Sequence, residues 1–211
     1  MKTQPEHVIE HVMTAYHELV AEIDQDVQRV REEYGRFPCP SDCFQCCRNT
    51  STIPISEVEG RDLKIALDAL PKQIREHIRQ KAQQTIKVLE AQGHTAENMI
   101  KDSGMEAIEV VKGKTFGECP MLIGGVCSVY EHRPVICRVW GYPIDNGKEL
   151  ACCKKTFIGQ HKNYEPVKYA DYWQTCKKLS EALGAVQKTP NCYLVIELID
   201  DKDSEGNNGE L

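Results

Sequence analysis

From residue 6 to residue 34 apolar side chains recur at every third or fourth position, with Ile9, Val12, Tyr16, Leu19, Ile23, Val27, Val30 and Tyr34 separated by polar and charged residues. That period draws one apolar stripe along a single long helix, and Gly35 is its stop signal. Such a stripe has to lie on the rest of the chain or on a second copy. Ser56 and Glu59 have capping-box spacing and open a helix to about residue 70. Pro71 suits the first turn of the next helix, whose apolar face runs through Ile74, Ile78, Ile86 and Leu89 to Gly93.

Beyond this pair the pattern weakens. Residues 94–117 read as a loop with one short helix between 97 and 111, and residues 119–153 are broken by Gly124, Gly125, Pro134, Gly141, Pro143 and Gly147. Ser128 and Glu131 repeat the capping-box spacing, so a short turn is expected from Val129. A clearer helix spans 169–183, the apolar run YLVIELI at 193–199 reads as a strand, and the acidic tail from 201 reads as disordered. The expected fold is mainly α with small irregular and β elements, its helices packed around a cysteine-rich loop layer stapled by metal. The expected organisation is an N-terminal helix at 1–35, a cysteine-cluster domain at 36–200 with a helical insertion at about 56–118, and the tail at 201–211.

The chain has 211 residues, 41% of them hydrophobic and 27% charged, a balance that fits a folded globular domain rather than a disordered or fibrous chain. A formal net charge of −6 argues against a protein built to grip nucleic acid. No apolar run has the length of a membrane span or of a signal peptide, so no membrane is expected and the expected compartment is the cytoplasm. Disulfides do not persist there, which turns attention to sulfur as a ligand.

Eleven cysteines are present, and nine fall in two blocks: Cys39, Cys43, Cys46 and Cys47, then Cys119, Cys127, Cys137, Cys152 and Cys153. Thiolates are soft, strong ligands for zinc, iron and iron–sulfur clusters, and a metal supplies folding energy that loop-rich segments lack. The expected ligands are Cys39, Cys43, Cys46, Cys47, Cys119, Cys127 and Cys137, with Cys152 or Cys153 completing the set, in two four-coordinate sites or in one site plus an auxiliary pair. Cys176 and Cys192 stand apart and read as inert buried thiols.

These residues carry a resemblance. The first block and the segment Cys119-Pro120, Cys127-Ser128-Val129-Tyr130-Glu131, Arg133-Pro134 and Cys137-Arg138 resemble the zinc- or iron-chelating family named for its CxxCxxCC cluster. About half of the chain takes part, residues 37–55 and 119–153. Three residues rather than two separate Cys39 from Cys43, a departure from the family pattern. The resemblance implies metal binding through these cysteines. Flagellin lysine N-methylases are longer relatives of that family, which makes a protein-modifying enzyme a further, weaker reading.

Widely spaced Cys119, Cys127 and Cys137, together with the adjacent pairs 46–47 and 152–153, suit a larger centre better than one small tetrahedral ion. An iron–sulfur cluster of the 4Fe–4S kind, or iron, is therefore expected ahead of zinc. Arg133 and Arg138 flank Cys137, where they would offset the negative charge of a thiolate-bound centre and donate to sulfur. Tyr130 and Trp140 are expected to pack over the site, and His132 is a substitute ligand. The zinc alternative is a binding, adaptor or metal-handling module with a protein partner or a second copy on the N-terminal helix.

Other motifs lead nowhere. Cys39-x3-Cys43-x2-Cys46 has radical S-adenosylmethionine spacing, yet a helix precedes it and no β/α alternation follows. Cys43-x2-Cys46 lacks the βαβ setting of a thioredoxin site. Gly113-Lys114-Thr115 lacks the leading glycine of a phosphate loop, and His7 with His11 lacks the glutamate of a zincin helix.

Overall fold

The computed structural model describes residues 4–34, 44–101, 117–153, 155–157, 163–185 and 189–205. Cys39, Cys43, residues 113–115, and the 97–111 helix beyond residue 101 lie outside them. In chain order the elements are α1 (Glu6–Tyr34), β1 (Pro54–Ile55), α2 (Glu57–Ala69), α3 (Lys72–Ala91), α4 (Ala96–Lys101), β2 (Leu122–Ile123) and β3 (Val126–Cys127). Then follow α5 (Val135–Val139), β4 (Ile144–Asp145), β5 (Leu150–Ala151), α6 (Tyr169–Ala182), β6 (Thr189–Pro190) and α7 (Asn191–Glu205). Two 3-10 turns, Cys47–Asn49 and Tyr130–His132, lie between them. The fold is mainly helical, as expected, and its strands are two residues each. No helix among the described residues is long and apolar enough to cross a membrane.

The chain divides into two compact units, one made of Met1–Cys43 and Arg133–Val186, the other of Phe44–His132 and Gln187–Leu211. In the first, α1 buries Val12, Tyr16, Leu19, Ile23 and Val30, five members of the predicted stripe. The stripe lies on α5 and α6 of its own unit, the first of the two alternatives for it. Phe157 is fully buried with its ring 4.7 Å from that of Tyr34 and 5.4 Å from that of Tyr164, which fixes the end of α1 in an aromatic cluster. The β4–β5 hairpin pairs Ile144 with Ala151. Its turn is tied by Asp145 Oδ1, which accepts from the Gly147 amide, and by Asn146 Oδ1, which accepts from the amides of Lys148 and Glu149.

In the second unit α2, α3 and α7 enclose a core of Leu63, Leu67, Ile78, Ala82, Leu89 and Val195, all buried. The capping box forms: the Glu59 carboxylate accepts from the Ser56 amide at 2.9 Å and from its hydroxyl at 2.6 Å. Gly60 lets α7 come close, because a Cβ there would meet Leu194 Cδ2 at 3.3 Å. The strand expected at 193–199 is a correction: this run is helical and belongs to α7. Cys192, Val195 and Ile199 are buried one helical turn apart, against α2 and α3, so an apolar run covered on two sides hid its period. The strand of this region is instead β6, just upstream, with Thr189 opposite Ile55. Of the tail expected from 201, residues 201–205 continue α7, and 206–211 lie outside the described residues. The turn expected from Val129 is 3-10 and starts at Tyr130, while the Ser128 hydroxyl donates to the Met121 carbonyl.

Candidate metal centre

Within the second unit the two cysteine blocks are joined through backbone. Cys47 opens a 3-10 turn, and its carbonyl accepts a hydrogen bond from the Cys119 amide at 2.6 Å. The Cys119 carbonyl in turn accepts from the Leu122 amide at 3.1 Å, and Leu122 stands opposite Cys127 in the β2–β3 hairpin. Cys46 and Cys47 hold their sulfurs 3.9 Å apart. Four of the expected ligands, Cys46, Cys47, Cys119 and Cys127, thus occupy one loop-and-hairpin assembly.

The start of α7 closes this assembly. The amide of Asn191 donates to Ile53 O and that of Cys192 to Ser51 O, at 2.9 and 2.8 Å, tying α7 to the segment after the first block. From there the buried Asn191 side chain aims Nδ2 at Cys119 Sγ, 3.4 Å away. Sequence reasoning missed Asn191, since a lone asparagine after Pro190 carries no motif. An amide donor on sulfur favours thiolate over thiol and is the contact that tunes a metal-bound sulfur.

Burial sets the protonation of these thiols. Cys119, buried, is pushed up to about 11, chiefly by desolvation and further by the charge of Cys127, against the Met121 amide and Asn191, which favour the thiolate. Cys192 goes to about 12, again by burial first. Cys46 moves the other way, down to about 6, because the neighbouring Cys47 thiol donates to its thiolate. The donor set fits a soft metal: buried Cys119 is costly as a free anion, and a cation would remove that cost. Among the described residues no three His, Cys, Asp or Glu side chains converge in metal-holding geometry.

The first unit holds the remaining described candidates. Cys137 sits in α5 and Cys152 and Cys153 follow β5, all half-buried. Cys152 is raised by burial and by the adjacent Cys153, whose sulfur accepts from the Lys155 amide at 3.5 Å. Arg138 is buried, with Nη1 on the Asp24 carboxylate and Nε on the Arg133 carbonyl. Three other residues singled out by the sequence take the following places. Tyr130 and Trp140 are 51% and 40% exposed. His132 Nδ1 lies 3.1 Å from Oδ1 of buried Asp62. Cys176 and Cys192 are fully buried, as expected of inert thiols. No known protein family, curated protein or solved structure matches the chain.

Proposed function

We propose that this is a cytoplasmic metal-binding protein of the zinc- or iron-chelating cysteine-cluster kind, whose thiolates ligate an iron–sulfur cluster. The single observation that carries the reading is the hydrogen bond from Cys119 N to Cys47 O, which joins two cysteine blocks far apart in sequence. Cys46, Cys47, Cys119 and Cys127 are the four thiols this reading assigns to one centre, which would have to draw their sulfurs together, since no three of them converge among the described residues; Asn191 supplies a donor to sulfur. Cys137, Cys152 and Cys153, with Cys39 and Cys43, remain candidates for a second centre or an auxiliary role. Bound, the cluster would hold the loops together and carry an electron; this chain brings the two segments together through the backbone and keeps Cys119 buried.

Zinc is the second reading, and one distance favours it. Two thiolates at about 2.3 Å from one tetrahedral ion stand about 3.8 Å apart, close to the 3.9 Å between Cys46 and Cys47. The adjacent pair therefore suits a single small ion better than its spacing in sequence suggests. Elemental analysis of protein purified without oxygen, with its visible spectrum and acid-labile sulfide, decides. Iron with matching sulfide and a brown chromophore supports the cluster. Stoichiometric zinc in a colourless protein replaces it with a structural module, and absence of both overturns the proposal.

A further inference from the structure

Beside the first cysteine block the second unit opens into a cleft of about 480 Å³, within the size range of small-molecule sites. Its apolar surface comes from Phe44, Leu122 and Ile123, and its charged groups are Arg48, His77, Lys81 and Glu118. His77 and Lys81 stand four residues apart on α3 and so share a face.

The cleft is built rather than incidental. Arg48 lies over the Phe44 ring at 4.8 Å, which sets its guanidinium on an aromatic wall. Lys81 Nζ donates to the Leu122 carbonyl and reaches Glu118 Oε2 at 3.4 Å, so one cation is anchored at the base of the β2–β3 hairpin. At the hairpin tip Gly124 and Gly125 take φ of +58° and +81°, values that keep side chains out. A Cβ on Gly125 would stand 3.4 Å from Phe44 Cε1, so the bare backbone lies against the ring.

Three of the four ionisable groups in the cleft are basic, on a chain of net charge −6. Glu118 offsets one cation and leaves the cleft positive, and a positive recess in an acidic surface concentrates anions. We propose that this cleft binds a small organic anion, a carboxylate or phosphate carried on an aromatic or alkyl body, with the anionic head toward Arg48 and Lys81 and the body against Phe44 and Ile123. None of the lining residues is a cysteine, although Arg48 follows Cys47, Glu118 precedes Cys119 and Leu122 stands opposite Cys127.

Isothermal titration of the full chain with phenyl phosphate and with benzoate tests it, with phenol as the control lacking the anionic head. Saturable binding of either anion, and none of phenol, is the expected result. Arg48→Glu, a change at an exposed side chain, should weaken binding about tenfold or more, and Glu118→Gln should tighten it about threefold, because the first reverses and the second removes a charge facing the ligand. Circular dichroism on each variant checks that the fold is kept, and metal content measured on the same samples separates failure of the cleft from failure of the metal centre. No saturable heat with either anion, unaltered binding in Arg48→Glu, or weaker binding in Glu118→Gln overturns the assignment.

Discussion

Nη1 of Arg138 lies 2.9 Å from Oδ2 of Asp24, and the arginine side chain is 2% exposed while the aspartate is 47% exposed. The charge of Arg138 is thus met by a carboxylate on α1, and its Nε is held by the Arg133 carbonyl at 3.1 Å. Removing the aspartate leaves a buried cation without that carboxylate. Because Asp24 itself is half in water, Asp24→Ala should cost about 2 kcal/mol, less than the 3–5 typical of breaking a fully buried pair. A double-mutant cycle with Arg138→Ala, read by urea unfolding, should give a coupling of about 1 kcal/mol or more. Coupling near zero would mean that the pair does not hold α5 to α1.

The capping box at the head of α2 makes a second, local prediction. Ser56 and Glu59 are both buried, and the one carboxylate accepts from both the amide and the hydroxyl of Ser56. Ser56→Ala should lower stability by about 1 kcal/mol, and Glu59→Ala by more, since it orphans a buried amide as well. Equal urea midpoints for Ser56→Ala and the parent would remove this cap from the account of why α2 starts where it does.

Local rules made these elements legible. The stripe of α1, the cap of α2 and the face of α3 each follow from residues within a few positions of one another, and each appears at its expected place. The run at 193–199 was illegible because its two-sided burial against α2 and α3 is a tertiary fact. The second cysteine block looked too broken for regular structure, yet Gly124, Gly125 and Gly147 sit in the turns of two hairpins, held by Asp145, Asn146 and Ser128. Of the candidate site, the clustering of thiols could be read from spacing. The Asn191 donor and the engagement of Arg138 by Asp24 could not, because the partners of each contact lie 72 and 114 residues apart along the chain.

Thiol reactivity separates the cysteines by environment. In metal-free protein at pH 7 Cys46, lowered to about 6 by the Cys47 thiol, is mostly thiolate, whereas Cys119 and Cys192, raised to about 11 and about 12 by burial, remain protonated. Iodoacetamide followed by peptide mass spectrometry should label Cys46 first and leave Cys192 untouched until the protein unfolds. Labelling of Cys192 as fast as Cys46 would contradict the burial of α7 against the core.

The same shifts give stability a defined alkaline limit. Burial raises Cys192 from its ordinary value near 9 to about 12, so between those values the native state holds a proton that the unfolded chain has released. Native stability is therefore intact below pH about 9 and falls as pH rises toward 12, with a slope of at most about 1.4 kcal/mol per pH unit for one such group. Cys119 adds a similar loss between about 9 and 11 in metal-free protein. Urea midpoints from pH 8 to 11 should fall in the parent and fall less steeply in Cys192→Ala. A flat profile in the parent would show that neither thiol keeps its proton beyond the pH at which the unfolded chain releases it.

Cys119 also gives the sharpest test of the ligand assignment, since its own groups link the first block, the β2–β3 hairpin and Asn191. Its amide reaches Cys47, its carbonyl leads to the hairpin that carries Cys127, and its sulfur receives Asn191. Oxygen is a harder donor than thiolate, so Cys119→Ser should lose most of the metal, and Asn191→Leu, which keeps the sulfur but removes its donor, should lower affinity about tenfold or more. Cys176→Ser perturbs a buried thiol in α6, in the first unit, and should keep full metal content even where stability drops. Metal per chain, measured after a common chelator challenge, ranks the three. If Cys176→Ser loses as much metal as Cys119→Ser, the loss tracks unfolding rather than ligation and Cys119 is no ligand; if only Cys119→Ser and Asn191→Leu lose it, the sulfur and its amide donor act on the metal directly.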